Sequence, residues 1–178
     1  MSNTVSKVLM MTTLGLSLSG CGLFQSVSES TASVSRAIFH KQVRTLHLDL
    51  SARAGMNLDA ADMNALSVPT LVRVYQLRDD KTVQRTDYDN VTRQGAVRLR
   101  SDVLDEHAVV IRPEEGVQIS RPLHPQAQFV AVVGLFREPD RQDNSWRLVL
   151  TRDELDPERA RVIELQDNRL DLRPLGEG

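Results

Sequence analysis

The chain has 178 residues, of which 26% are charged and 40% hydrophobic, and its formal charge at pH 7 is −2. So balanced a charge excludes the strongly basic footprint of a nucleic-acid-binding surface, and a single cysteine excludes a disulfide scaffold. The length suits one domain that packing, rather than cross-linking, must stabilise.

At the start of the chain, Lys7 flanks the apolar run Val8 to Leu18, which at eleven residues falls short of the ~20 needed to span a bilayer as a helix. Leu18-Ser19-Gly20-Cys21 closes that run. Small residues before a cysteine in this setting read as a lipobox: residues 1–20 are a leader to be cleaved, and Cys21 is the acylated N-terminus of what remains. Several acyl chains, at roughly 0.8 kcal/mol per buried methylene, make a stable anchor where one is marginal. Gly22 follows the cysteine, where bacterial lipoproteins held at the inner membrane resemble one another in carrying aspartate. The expected location is therefore the outer membrane, with the domain facing the periplasm.

Residues 21–41 read as a tether, since Ser26, Ser28, Ser30, Ser33 and Ser35 recur with few bulky side chains. As a flexible coil of ~20 residues it would reach about 25 Å. The folded domain is expected over 42–178, and its periodicity is mostly two. Leu46, Leu48 and Leu50 share one face of a first strand while Thr45, His47 and Asp49 share the other. Val68 to Leu77 is a second strand, with Val68, Thr70, Val72 and Val74 on one side and Leu71, Arg73, Tyr75 and Leu77 on the other. Both sides carry apolar residues, so its inward face stays open.

A short helix is expected within Thr86 to Gln94, capped by Asp87, and a second turn around Asp102 to Glu106. Ala108 to Ile111 is a brief apolar run stopped by Pro113, and Gly116 to Ser120 alternates again. Gln128 to Phe136 is almost continuously apolar and belongs at a sheet centre. After the polar turn Asp140 to Ser145, Trp146, Leu148 and Leu150 alternate as the second arm of a hairpin. Arg161 to Leu165 and Leu170 to Leu172 flank Gln166-Asp167-Asn168-Arg169 as a last hairpin. Seven or eight short strands with little room for helix argue for an all-β fold, an antiparallel sandwich with a small helical insertion.

The residues of a reaction centre are not gathered anywhere along the chain. His40, His47, His107 and His124 lack zinc-site spacing, and Asp79-Asp80 and Glu114-Glu115 sit at turns, where neighbouring side chains point apart. No nucleophile elbow, phosphate loop or dinucleotide fingerprint occurs. No catalytic residue, cofactor or metal is expected.

The connection between the first two strands is long, running from Arg53 to Ser67 where a hairpin needs few residues. Met56, Leu58, Met63 and Leu66 are interleaved there with Asn57, Asp59, Asp62 and Asn64. Apolar groups with a polar, partly acidic rim suit a docking surface, and methionine adapts to a partner. The same residues could fold back as a lid, with Asp59 capping a turn, and composition alone leaves these readings even.

The order of features resembles the type VI secretion lipoproteins of the TssJ or SciN family. The resemblance rests on the lipobox, the first strand ending Leu48-Asp49-Leu50-Ser51-Ala52, Asn57 in the loop, Pro69, and Val72-Arg73-Val74-Tyr75-Gln76-Leu77. It extends to a polar helical stretch at Asp87-Tyr88 and a strand ending at Pro113. It implies a transthyretin-like β-sandwich and a structural role without enzymatic activity. It also implies that the long loop binds the periplasmic C-terminal region of the inner-membrane protein TssM, with TssL and TssK as indirect partners in one complex. The rival is a ligand-binding or inhibitory lipoprotein, which a conspicuous apolar cavity would favour.

Overall fold

The computed structural model describes residues 42–58 and 66–175; the expected leader and tether lie outside the described residues. Eight strands form two sheets. The first contains β1 (Thr45–Ala52), β4 (Gly116–Pro122), β7 (Arg161–Gln166) and β8 (Arg169–Leu172), in the order β4-β1-β7-β8. The second contains β2 (Thr70–Leu77), β3 (Val103–Ile111), β5 (Phe129–Leu135) and β6 (Arg147–Thr151), in the order β3-β2-β5-β6. The fold is an all-β sandwich with a small helical insertion, α1 (Lys81–Arg85) and α2 (Tyr88–Arg98).

The period-two pattern of β1 sets the first sheet. Leu46, Leu48 and Leu50 are fully buried, each worth roughly 1.5–3 kcal/mol of transfer from water. Register places Ile119 opposite Leu48 and Ile163 beside Leu50, so both neighbours add to the same inner face. The outer face carries Asp49 beside Gln118 and His47 beside Ser120, whose Oγ lies 3.1 Å from His47 Nδ1. One pairing departs from the expected antiparallel order: β1 and β7 run parallel. A chain that crosses to the second sheet, returns at β4 and crosses again for β5 and β6 before β7 has room for this, whereas a tight hairpin does not.

The open question about β2 has a physical answer, because both of its faces are covered. Thr70, Val72 and Val74 are buried on one side, Tyr75 and Leu77 on the other. The insertion between β2 and β3 lies over the second side: a Cβ added at Gly95 would come within 3.3 Å of the Tyr75 hydroxyl, so the glycine permits close approach of α2 to the sheet. Burial raises the Tyr75 phenol above its ordinary pKa.

Helix α2 begins as expected. Asp87 caps it by accepting from the Asn90 amide at 2.8 Å. The helix runs on to Arg98 across a non-helical Gln94, further than the expected segment. The turn expected around Asp102 to Glu106 falls earlier, where the Asp102 and Val103 amides both reach Leu99 O, and Asp105 and Glu106 already belong to β3. Charges on an edge strand of this kind discourage pairing with other chains.

The helical layer is held to the sheet edge by two residues of one hairpin arm. The Tyr88 hydroxyl donates to Phe136 O, its ring meets Trp146 edge-on at 5.2 Å, and burial pushes its pKa up to about 12. Arg147 donates to Val83 O and Thr86 O at 2.7 Å and to Gln84 O at 2.6 Å, satisfying carbonyls that end α1. Its guanidinium also lies 4.9 Å from the Trp146 ring centre. Arg147→Ala should lower stability by about 2–4 kcal/mol, given roughly 1.5–3 kcal/mol for a hydrogen bond to a charged group. Urea denaturation checks this, and an unchanged midpoint would mean that other contacts hold the layer.

Candidate functional site

The strand directions gather four connections at one end of the sandwich. β1 ends there at Ala52 and β2 begins at Thr70, so residues 53–69 bridge the two sheets. Around them lie the β3–β4 turn, the β5–β6 connection and the β7–β8 turn. Gln42, where the described chain begins, lies beyond the opposite end of β1.

Asn57 organises this end. It is 2% exposed, with φ 53°, a left-handed conformation that asparagine tolerates better than most residues. Its Oδ1 accepts from the Arg137 amide at 2.7 Å, and its Nδ2 donates to Pro69 O at 3.3 Å and Val68 O at 3.5 Å. One carboxamide thus joins both legs of the loop to the β5–β6 connection. The Ser67 hydroxyl donates to Ala54 O as a second tie between the legs.

The β7–β8 turn supports the loop from below. Asp167 and Asn168 have φ 46° and 60°, as a type I′ hairpin requires. The Asp167 amide reaches Gly55 O at 3.2 Å, and Asn168 Nδ2 donates to Leu58 O at 2.9 Å. At the start of the loop, Arg53 bonds Glu164, whose second oxygen lies 2.8 Å from Arg173. The hydrogen bond from Arg173, followed by that from Arg53, holds the Glu164 carboxyl below its ordinary pKa.

The residues singled out in the loop therefore separate. Met56 is fully buried and joins the core, so the expectation that it offers an apolar contact to a partner gives way to an anchoring role. Asn57 is likewise an anchor, because its polar atoms are consumed within the fold. Leu58 is half-buried, and Leu66 is 64% exposed. Asp59, Asp62, Met63 and Asn64 lie outside the described residues. Sequence reasoning missed Ser67, Asp167, Asn168 and the Arg53–Glu164–Arg173 link. The Asp167-Asn168 pair was readable as a turn, but its contact with a loop more than a hundred positions earlier leaves no local trace.

The paired carboxylates behave as turn residues. Asp79 accepts from the Lys81 amide at 2.8 Å, and Glu115 from the Arg112 amide at 2.8 Å. Two surface clefts, of about 370 and 380 Å³, are lined chiefly by polar groups, Lys81, Arg85 and Arg98 in one and Asp143, Asn144 and Arg147 in the other.

Asn57→Ala should cost about 2–4 kcal/mol, since a buried amide loses its acceptor and alanine is strained at positive φ. Chemical denaturation gives the value, and a loss below 1 kcal/mol would show that the loop legs are held without it. The depressed pKa of Glu164 has a pH signature as well. Its stabilisation is complete above the ordinary carboxylate value of 4.5 and is lost as pH falls through the lower folded value. Glu164→Gln should therefore flatten the acid limb of a plot of stability against pH; an unaltered limb would assign acid sensitivity elsewhere.

The comparisons with known proteins agree with this architecture. The model for the type VI secretion lipoproteins, a description that covers VasD, EvfM and TssJ, matches residues 44–168. A chain of the solved "Type VI membrane complex" is 38% identical, with TM-score 0.70, the match covering 75% of this chain and 100% of that one. A chain of the structure described as "T6SS protein TssM C-terminal domain (869-1107) from EAEC" is 36% identical over the same shares, with TM-score 0.67. The T6SS lipoprotein TssJ1 from Pseudomonas aeruginosa shares the fold at 24% identity and TM-score 0.59, over 76% of this chain and 100% of its own. No curated protein matches. On the family match across most of the sandwich, the chain belongs to the type VI secretion lipoproteins of the TssJ and VasD family.

Proposed function

We propose that this lipoprotein is acylated at Cys21, sits in the outer membrane, and docks the periplasmic C-terminal region of TssM with the loop at residues 53–69. The observation that carries the reading is the placement of Gln42 and the loop beyond opposite ends of β1. Eight residues of strand, at about 3.3 Å each, separate them by roughly 26 Å. A lipid on the Gln42 side would leave the loop directed away from the membrane surface. The similarity to chains in solved structures described by TssM and by the membrane complex supports TssM as the partner. TssL and TssK would then associate indirectly.

The docking residues narrow to Leu66, Leu58 and the segment Asp59–Ala65, which contains Asp62, Met63 and Asn64. The role is structural: the lipid confines the domain to the same narrow space as a partner rising from the inner membrane, which raises effective concentration. The two clefts described above are polar, which suits an acyl or aromatic ligand poorly.

Replacing residues 59–65 with a Gly/Ser segment of equal length should leave the denaturation midpoint close to that of the parent, because Met56, Asn57 and Ser67 are untouched. It should weaken binding to the TssM periplasmic region at least tenfold, equivalent to about 1.4 kcal/mol, as read by calorimetry. A folded variant that binds as tightly as the parent would sink the loop assignment. Cys21→Ser should abolish incorporation of labelled palmitate, because only the thiol accepts the diacylglyceryl group. Label entering the mutant chain would reject the lipobox.

A further inference from the structure

Force applied to a sheet is resisted very differently according to the strand it enters. Along the axis of an interior strand many hydrogen bonds must yield together, whereas an edge strand peels one pair at a time. In this fold the two ends that the proposed function would pull upon both lead to interior strands. Above Gln42, β1 lies between β4, from Thr45 opposite Pro122 to Ser51 opposite Gly116, and β7, from Leu48 beside Arg161 to Ala52 beside Leu165. At the other end, the loop's second leg enters β2, which lies between β3 and β5.

Both attachment points are reinforced. Arg152, which opens a 3₁₀ turn after β6, donates to Val43 O and to Ala127 O, each at 2.7 Å. The Leu123 amide reaches Arg44 O at 2.8 Å. The first residues of the domain are thus fastened to the β4–β5 connection, so a sideways pull must break these bonds before it lifts β1. At the loop, Asn57 joins the two legs, so a pull on either leg is shared between β1 in one sheet and β2 in the other. The C-terminal side is built differently, for it leaves from β8, the edge of its sheet among the described strands. Its only strand partner there is β7, from Ile163 opposite Leu172 to Gln166 opposite Arg169, with one further bond from the Leu170 amide to Ser145 O at 2.8 Å.

We propose that the domain is a tension relay, loaded in shear through an interior strand of each sheet when it is pulled between its lipid side and its docking loop, with Arg152 as the clamp at the lipid side. The biological use of this device rests on the docking and acylation read above, but the mechanical property does not.

Single-molecule pulling tests it on the full chain. Translation without membranes leaves the thiol of Cys21, the sole cysteine, free as one handle, and Leu66→Cys or Leu175→Cys supplies the other at an exposed position. Pulling between 21 and 66 should rupture at a clearly higher force than pulling between 21 and 175, where β8 peels first. An equal or lower force in the 21–66 geometry would overturn the relay. Arg152→Ala should lower the 21–66 rupture force, and rupture at the parent's force would remove the clamp. No partner enters the measurement, so a chain that fails to bind TssM yet resists shear would reject the docking reading alone, and the reverse result would reject the relay alone.

Discussion

The crossing from one sheet to the other is the constraint on which this end of the molecule depends. A chain that leaves the centre of one sheet and enters the centre of the next must turn over the top of the core, where its backbone amides and carbonyls lose water and need partners. Asn57 answers for several of them at once, accepting from Arg137 N and donating to the carbonyls of Pro69 and Val68. An aspartate would lack the donor, and an aliphatic residue would leave both sides unpaired. The left-handed backbone at this position further narrows the choice, because it aims the short carboxamide into the gap between the two legs.

The second sheet is stabilised from both faces, and this shapes the outside of the domain. Inner residues such as Val72, Val74 and Val132 meet the first sheet, while Tyr75 and Leu77 lie on the opposite face of β2. Tyr88 and Arg147 fix the helical layer by different means. A buried phenol bonds a carbonyl on one side, and a guanidinium gathers the last carbonyls of α1 on the other. α1 is only five residues long, too short to persist alone, so its existence depends on that arginine more than on its own propensity.

This explains which parts were legible in the sequence. β1 reads correctly because one face is buried and the other is wet, so alternation is clean. β5 reads correctly as a sheet centre because continuous apolar residues are what two covered faces demand. The facing of β2 is undecidable from its own residues for the same reason, since the helical insertion that follows it in the chain hides the second side. The first half of β3 reads as a turn in the sequence because an edge strand can carry Asp105 and Glu106 in its ladder. α1 gave no signal, because one buried residue, Val83, is its whole apolar face. In the loop, spacing reveals an unusual connection and resemblance implies a partner for it, yet neither can tell Met56, which is buried, from Leu66, which is exposed. Burial there is decided by the β5–β6 and β7–β8 connections, distant in sequence from the residues they cover.

The arrangement also makes sense of why the loop's anchors and its exposed part are different residues. A loop with the proposed docking role must present apolar side chains to water before a partner arrives, which favours collapse onto the domain's own core. Burying Met56 on one leg and fixing Asn57 and Ser67 between the legs holds the base of the loop, so that Leu66 stays outside while the core remains closed. The link from Arg53 through Glu164 to Arg173 fastens the start of the same loop to the first sheet from its solvent side. The loop is therefore held at its base by the core, by a carboxamide and by an ion pair. Each fails under a different condition: the core under denaturant, the carboxamide under substitution, and the ion pair under acid or salt.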